Sequence, residues 1–168
     1  MKANHILLAG SPASSPLPLQ TRSTHRILVA EDNDDMRRLN SEVLIDSGYH
    51  VDAAEDGAVA WDALQLNRYD LVVTDQNMPK VTGVELLKKL RAASMALPVV
   101  MATSELPNEE FIRYPWLQPS ATLLKPYTVG ELLGTVTEVL RATESAREQT
   151  AAPPNWQSEP AAKGLQLH

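Results

Sequence analysis

The chain has 168 residues, 43% hydrophobic and 21% charged, which is room for one ordinary domain with loose ends and cramped for two cores. It has no cysteine, which excludes a disulfide framework, a thiolate zinc centre and cysteine catalysis, and its four histidines, His5, His25, His50 and His168, are too scattered to support a metal cluster. Residues 1–25 carry Lys2 and Arg22 and no acid, whereas residues 26–144 carry 11 basic and 19 acidic residues, a balance that repels a phosphate backbone and argues against direct nucleic-acid binding.

Taken in chain order, residues 1–25 include Ser11-Pro12-Ala13-Ser14-Ser15-Pro16-Leu17-Pro18, too poor in apolar groups to offset ordering entropy, and are expected to be a flexible leader. The run Ile6 to Ala9 is shorter than the about 7–15 residues of a signal-peptide core. A first strand is predicted over Ile27–Ala30, then a helix with Asp34 and Asp35 favouring its start and Met36, Leu39, Val43 and Leu44 inward. Val51–Ala54 is a weaker strand, suited to an edge, followed by a helix with Val59, Ala60, Ala63 and Leu64 inward. Leu71–Val73 is the third strand, and Leu86, Leu87 and Leu90 mark the third helix. Val99–Ala102 is the fourth. Pro107, Pro115 and Pro119 then leave room only for a short helix from about Asn108 to Tyr114. Ala121–Leu124 is the fifth strand, and Leu132, Leu133, Val136, Val139 and Leu140 give the last helix its apolar side. From Ser145 onward, with Pro153, Pro154 and Pro160 around Trp156, the composition reads as a disordered tail over 145–168. Strands apolar at nearly every position and alternating with helices predict an α/β fold, a doubly wound five-stranded parallel sheet within residues 26–144. No run approaches the ~18–20 apolar residues of a membrane span, so membrane insertion is not expected and a cytoplasmic location is.

In such a sheet, ligands gather where the strands end. The first strand ends in Glu31-Asp32, the third in Thr74-Asp75, the fourth in Thr103-Ser104 and the fifth in Lys125-Pro126. Clustered carboxylates repel one another, and a hard divalent cation with oxygen ligands relieves that repulsion; magnesium is the natural candidate. A lysine beside them adds positive charge for a phosphoryl group, and an aspartate held there can attack phosphorus. The set reads as phosphoryl transfer to an aspartate.

Glu31-Asp32-Asn33, then Asp75-Gln76-Asn77-Met78-Pro79-Lys80-Val81-Thr82-Gly83, Thr103 and Lys125-Pro126, with spacings of 44, 28 and 22 residues, resemble the receiver domain of two-component response regulators, the stand-alone chemotaxis type included. The resemblance covers about residues 26–142 and implies the flavodoxin-like strand order 2-1-3-4-5. It also implies that Asp75 accepts the phosphoryl group while Asp32, Asp75 and the Asn77 backbone carbonyl hold magnesium, with Glu31 assisting through water. Thr103 and Lys125 would contact the phosphoryl oxygens, beside a Lys125–Pro126 bond for which the cis form is available. Gly83 would open the turn into the third helix. Asn77 and Glu105, bordering the group, would tune its lifetime. Two positions depart from the family: Glu31 stands where many relatives have aspartate, and Thr122 replaces an aromatic residue that couples the site to the surface, which shifts the expected readout to Leu106–Pro119.

The implied function is a single-domain receiver, not an enzyme toward other substrates, phosphorylated by a histidine kinase or phosphotransfer protein and signalling to an unknown downstream protein by contact. A receiver-like adaptor acting without phosphorylation is one rival. An aspartate-nucleophile phosphatase is a weaker one, because Asn77 stands where that family has a second aspartate.

Overall fold

A parallel strand pair can be joined only through a crossover, and each apolar run of this chain is followed by a segment able to make one. The computed structural model describes residues 25–105 and 109–151. Its elements are β1 (Arg26–Ala30), α1 (Asp34–Asp46), β2 (His50–Ala54), α2 (Gly57–Leu66), β3 (Leu71–Asp75), α3 (Gly83–Ala92), β4 (Val99–Thr103), α4 (Glu109–Arg113), β5 (Ala121–Leu124) and α5 (Val129–Ala151). A 3-10 turn, Pro115–Leu117, precedes β5. The strands form one sheet in the order β2-β1-β3-β4-β5, every neighbouring pair parallel. This is the doubly wound sheet that the sequence predicts, with the weak second strand at an edge.

The period of two along the strands divides the core. Ile27 and Val29 join Leu44, Val73, Leu132 and Val136 on one face, while Leu28 and Ala30 join Leu64, Val72, Leu86 and Leu90 on the other. Each fully buried Val, Leu or Ile side chain among them contributes roughly 1.5–3 kcal/mol. β3 and β4 are buried at every residue, which fixes the ends that carry Asp75 and Thr103.

Helix starts complete the frame. Asn33 Oδ1 accepts from the Met36 amide at 3.0 Å, with Asp34 and Asp35 in the first turn of α1. Thr82 and Glu85 form a reciprocal capping box at α3. Gly83 has to be glycine, because a Cβ there would lie 2.5 Å from the Asp75 carbonyl oxygen.

Three expectations change. Leu39 and Val59 are 46% and 39% exposed, and the inward position on α1 belongs instead to Asn40, 3% exposed. The helix α5 continues to Ala151, seven residues into the stretch 145–168 expected to be a disordered tail. Ala146, Arg147, Glu148 and Gln149 are good helix formers, and the first proline that must stop the helix is Pro153. The short fourth helix is Glu109–Arg113, one residue inside each expected end. The leader 1–25 except for His25, the tail beyond Ala151 with Trp156, and residues 106–108 of the Leu106–Pro119 segment lie outside the described residues.

Candidate functional site

Because all strands run the same way, Glu31 and Asp32 after β1, Asp75 at the end of β3, Thr103 at the end of β4 and Lys125 after β5 reach one edge of the sheet. Carboxylate oxygens of Glu31, Asp32 and Asp75 lie within 4.8 Å of one another. Glu31 is 3% and Asp75 6% exposed, whereas Asp32 is open to solvent. Lys125 Nζ bridges the two buried acids, 3.0 Å from Asp75 Oδ1 and 3.2 Å from Glu31 Oε2. The other Glu31 oxygen accepts from the Asn33 amide at 3.3 Å, and Arg37 donates to the Glu31 carbonyl at 2.8 Å, so the longer acid is held from both ends.

Burial, and then the charge of Asp75, push the Glu31 carboxyl above the usual carboxylate range in spite of Lys125. Burial alone would lower the Lys125 ammonium. Its hydrogen bond and charge contact with Asp75, joined by Glu31, outweigh burial and hold it above its ordinary value. The Lys125–Pro126 peptide is cis. The cluster offers only oxygen donors beside one ammonium group, a set that fits a hard divalent cation and an anionic group together and does not suit a softer metal.

Thr103 is buried at the same edge, but its hydroxyl is engaged within its own loop, donating to the Glu105 carbonyl at 3.1 Å and accepting from the Glu105 amide at 3.2 Å. Asn77 and Glu105 are exposed on the loops after β3 and β4. Thr122 is exposed on β5, on the same face as Leu124. Two neighbours of the site escape sequence reasoning. Tyr127 accepts a hydrogen bond from Asn40 Nδ2 at 3.0 Å, and burial pushes its phenol up. Asp56, at the start of α2, holds Lys80 of the loop that follows Asp75. The signal for the first was a polar residue at position 40, midway between Met36 and Leu44 on one helical stripe; the second carries no local signal.

A family model described as the response regulator receiver domain matches residues 27–137. The chain belongs to the response regulator receiver family. It is 36% identical over 110 residues to the chemotaxis protein CheY-3 of Vibrio cholerae, covering 64% of this chain and 85% of that protein. It is 34% identical over 139 residues to the response regulator RppA of Synechocystis sp., covering 80% of this chain and 58% of RppA. Among solved structures, the receiver domain of the Francisella response regulator 1452 has a TM-score of 0.66 at 28% identity, with 71% of this chain and 99% of that one covered. The chemotaxis response regulator CheY4 of Vibrio cholerae has a TM-score of 0.64 at 32% identity, with 70% and 99% covered. This receiver is thus of the CheY-like kind, and its acidic pocket is of the type with which receiver domains bind Mg2+. Among the described residues no helix is long and apolar enough to cross a membrane.

Proposed function

We propose that this receiver is a cytoplasmic phosphorylation switch in which Asp75 accepts a phosphoryl group from a histidine kinase or a phosphotransfer protein and the phosphorylated form is read by a downstream protein through contact. The observation that carries this reading is the Lys125 ammonium seated between Asp75 and Glu31, with Asp32 at the solvent side of the same cluster. Asp32, Asp75 and the Asn77 carbonyl would hold magnesium, with Glu31 in support. When bound, the ion supplies charge neutralisation to the phosphoryl oxygens.

The chain's own groups do the rest. An Asp75 carboxylate oxygen attacks phosphorus, the bond from phosphorus to the donor nitrogen breaks, and the leaving imidazole keeps the electron pair and takes a proton. Lys125, anchored by two acids, faces the charge that develops on the transferred group. Thr103 exchanges its bond to Glu105 for one to a phosphoryl oxygen. Water then hydrolyses the acyl phosphate, with Asn77 and Glu105 bordering its approach. Readout by contact is supported by apolar surface beyond the site, where Ile112, Trp116 and Leu124 are 74%, 62% and 49% exposed.

The test is incubation of the protein with a small phosphodonor, read by intact mass. A single phosphoryl group should be added in magnesium and none in EDTA or in Asp75→Asn. Labelling that survives chelation or the substitution refutes the proposal.

A further inference from the structure

Asp56 is a buried charged residue that the phosphoryl chemistry leaves without a role. It is 2% exposed, and its Oδ1 accepts from the Ala58 and Val59 amides at 2.8 and 2.9 Å, capping α2. Its Oδ2 accepts from Lys80 Nζ at 2.5 Å. Lys80 belongs to a different element, the loop between β3 and α3, five residues after Asp75 and three after Asn77.

The backbone at Lys80 is unusual. Its φ is 65°, and the Val81 amide donates to the Pro79 carbonyl at 2.7 Å across it. This is the γ-turn of positive φ, the rare and strained form, in a residue that carries a Cβ. The same turn presses on the start of α2, where a Cβ at Gly57 would run into the Val81 carbonyl. Strained backbone persists only where its surroundings over-determine it. Two contacts do so here, the Lys80–Asp56 ion pair and the seat of Val81 on Gly57, and both tie the loop to α2.

We propose that Lys80 and Asp56 are positioning residues, whose ion pair clamps the loop after Asp75 to the start of α2 and thereby holds the Asn77 carbonyl ready for the divalent cation. The inference rests on the magnesium reading given under the proposed function. An exposed lysine paired with one acid adds little to stability, so the expected effect is on the site rather than on folding. Loss of a positive charge alone predicts the opposite sign, since it leaves the protein more attractive to a divalent cation, whereas losing the clamp disfavours binding.

The experiment compares the full chain with Lys80→Gly, Lys80→Arg, Asp56→Asn and the double variant Lys80→Gly/Asp56→Asn. Glycine accepts the positive φ and asparagine keeps the helix cap, so the variants fold. The readouts are titration with magnesium alone and amide exchange of the metal-free protein. Lys80→Gly should weaken magnesium binding about tenfold and speed exchange across residues 80–83 without altering β3. Lys80→Arg should stay near the parent protein, and the double variant should be no weaker than the weaker single one. Unchanged or tighter binding in Lys80→Gly overturns the proposal, as does faster exchange with unchanged affinity. A parent protein that binds no magnesium overturns the functional reading and this inference with it. An intact parent with an indifferent Lys80→Gly overturns the clamp alone.

Discussion

Replacing Lys125 by methionine keeps an unbranched apolar stem and deletes the charge between two buried acids. The ammonium is 3.0 Å from Asp75 Oδ1 and 3.2 Å from Glu31 Oε2, and the side chains of those acids are 7% and 4% exposed. At an effective dielectric constant of about 20, each contact represents roughly 5 kcal/mol of raw attraction. Desolvation offsets much of that, and losing one partner of a buried pair costs about 3–5 kcal/mol. The lysine side chain is 24% exposed, so solvent screening lowers the expected loss to about 2–4 kcal/mol. Urea unfolding in EDTA at neutral pH should report that deficit, equivalent to a fall in Tm on the order of 10 °C. Burial and Asp75 already hold the Glu31 carboxyl above its ordinary value, and removing Lys125 raises it further. A carboxyl with a raised folded pKa destabilises the fold when ionised, and the penalty disappears as pH falls through that folded pKa. The deficit should therefore narrow as pH falls from neutrality toward the ordinary carboxylate range. Magnesium should stabilise the variant more than the parent, because it restores a missing positive charge to the same cluster. A deficit below about 0.5 kcal/mol in EDTA, or one indifferent to both pH and magnesium, would show that Lys125 does not neutralise these acids.

The remaining expectations concern lifetime and framework. Asn77→Met and Glu105→Leu should each slow loss of the phosphoryl group, followed as decay of the labelled mass after removal of donor; unchanged decay in both would exclude water positioning by this pair. Asp56→Ala should cost about 1–2 kcal/mol at neutral pH through loss of the α2 cap. The Lys80 hydrogen bond, followed by the Val59 amide, holds the Asp56 carboxyl below its ordinary value. The contribution of its charge is thus complete above the unfolded carboxyl range and is lost as pH falls through the lowered folded value. Unfolding curves of parent and variant should converge in strong acid, and a gap that stays constant there would assign the cost to packing alone.

The strand pattern was legible because burial on both faces of a parallel sheet leaves unbroken apolar runs, and the five strands fall on or around the runs that predict them. The acidic cluster and Lys125 were legible for a related reason. A parallel sheet delivers every strand end to one edge, so strand-end residues converge without any knowledge of loops. Helical facing was less so. Leu39 fits an apolar stripe by spacing, yet α1 turns Asn40 inward to reach Tyr127, 87 residues away, and that bond exists only in the folded chain. The Asp56–Lys80 pair spans 24 residues and depends on a positive φ at a lysine, a conformation that local propensity disfavours. The direction of the Thr103 hydroxyl, toward Glu105, is likewise a property of loop geometry that spacing does not encode.

Acyl phosphates are reduced by borohydride to an alcohol, which leaves a permanent mark on the residue that carried the phosphoryl group. Phosphodonor-treated protein, reduced in this way and digested, should yield one modified peptide, with the change at Asp75 and only when magnesium is present. A mark at Glu31 or Asp32, a mark formed equally in EDTA, or no mark on Asp75 under conditions that phosphorylate another receiver would contradict Asp75 as the magnesium-dependent phosphoryl acceptor.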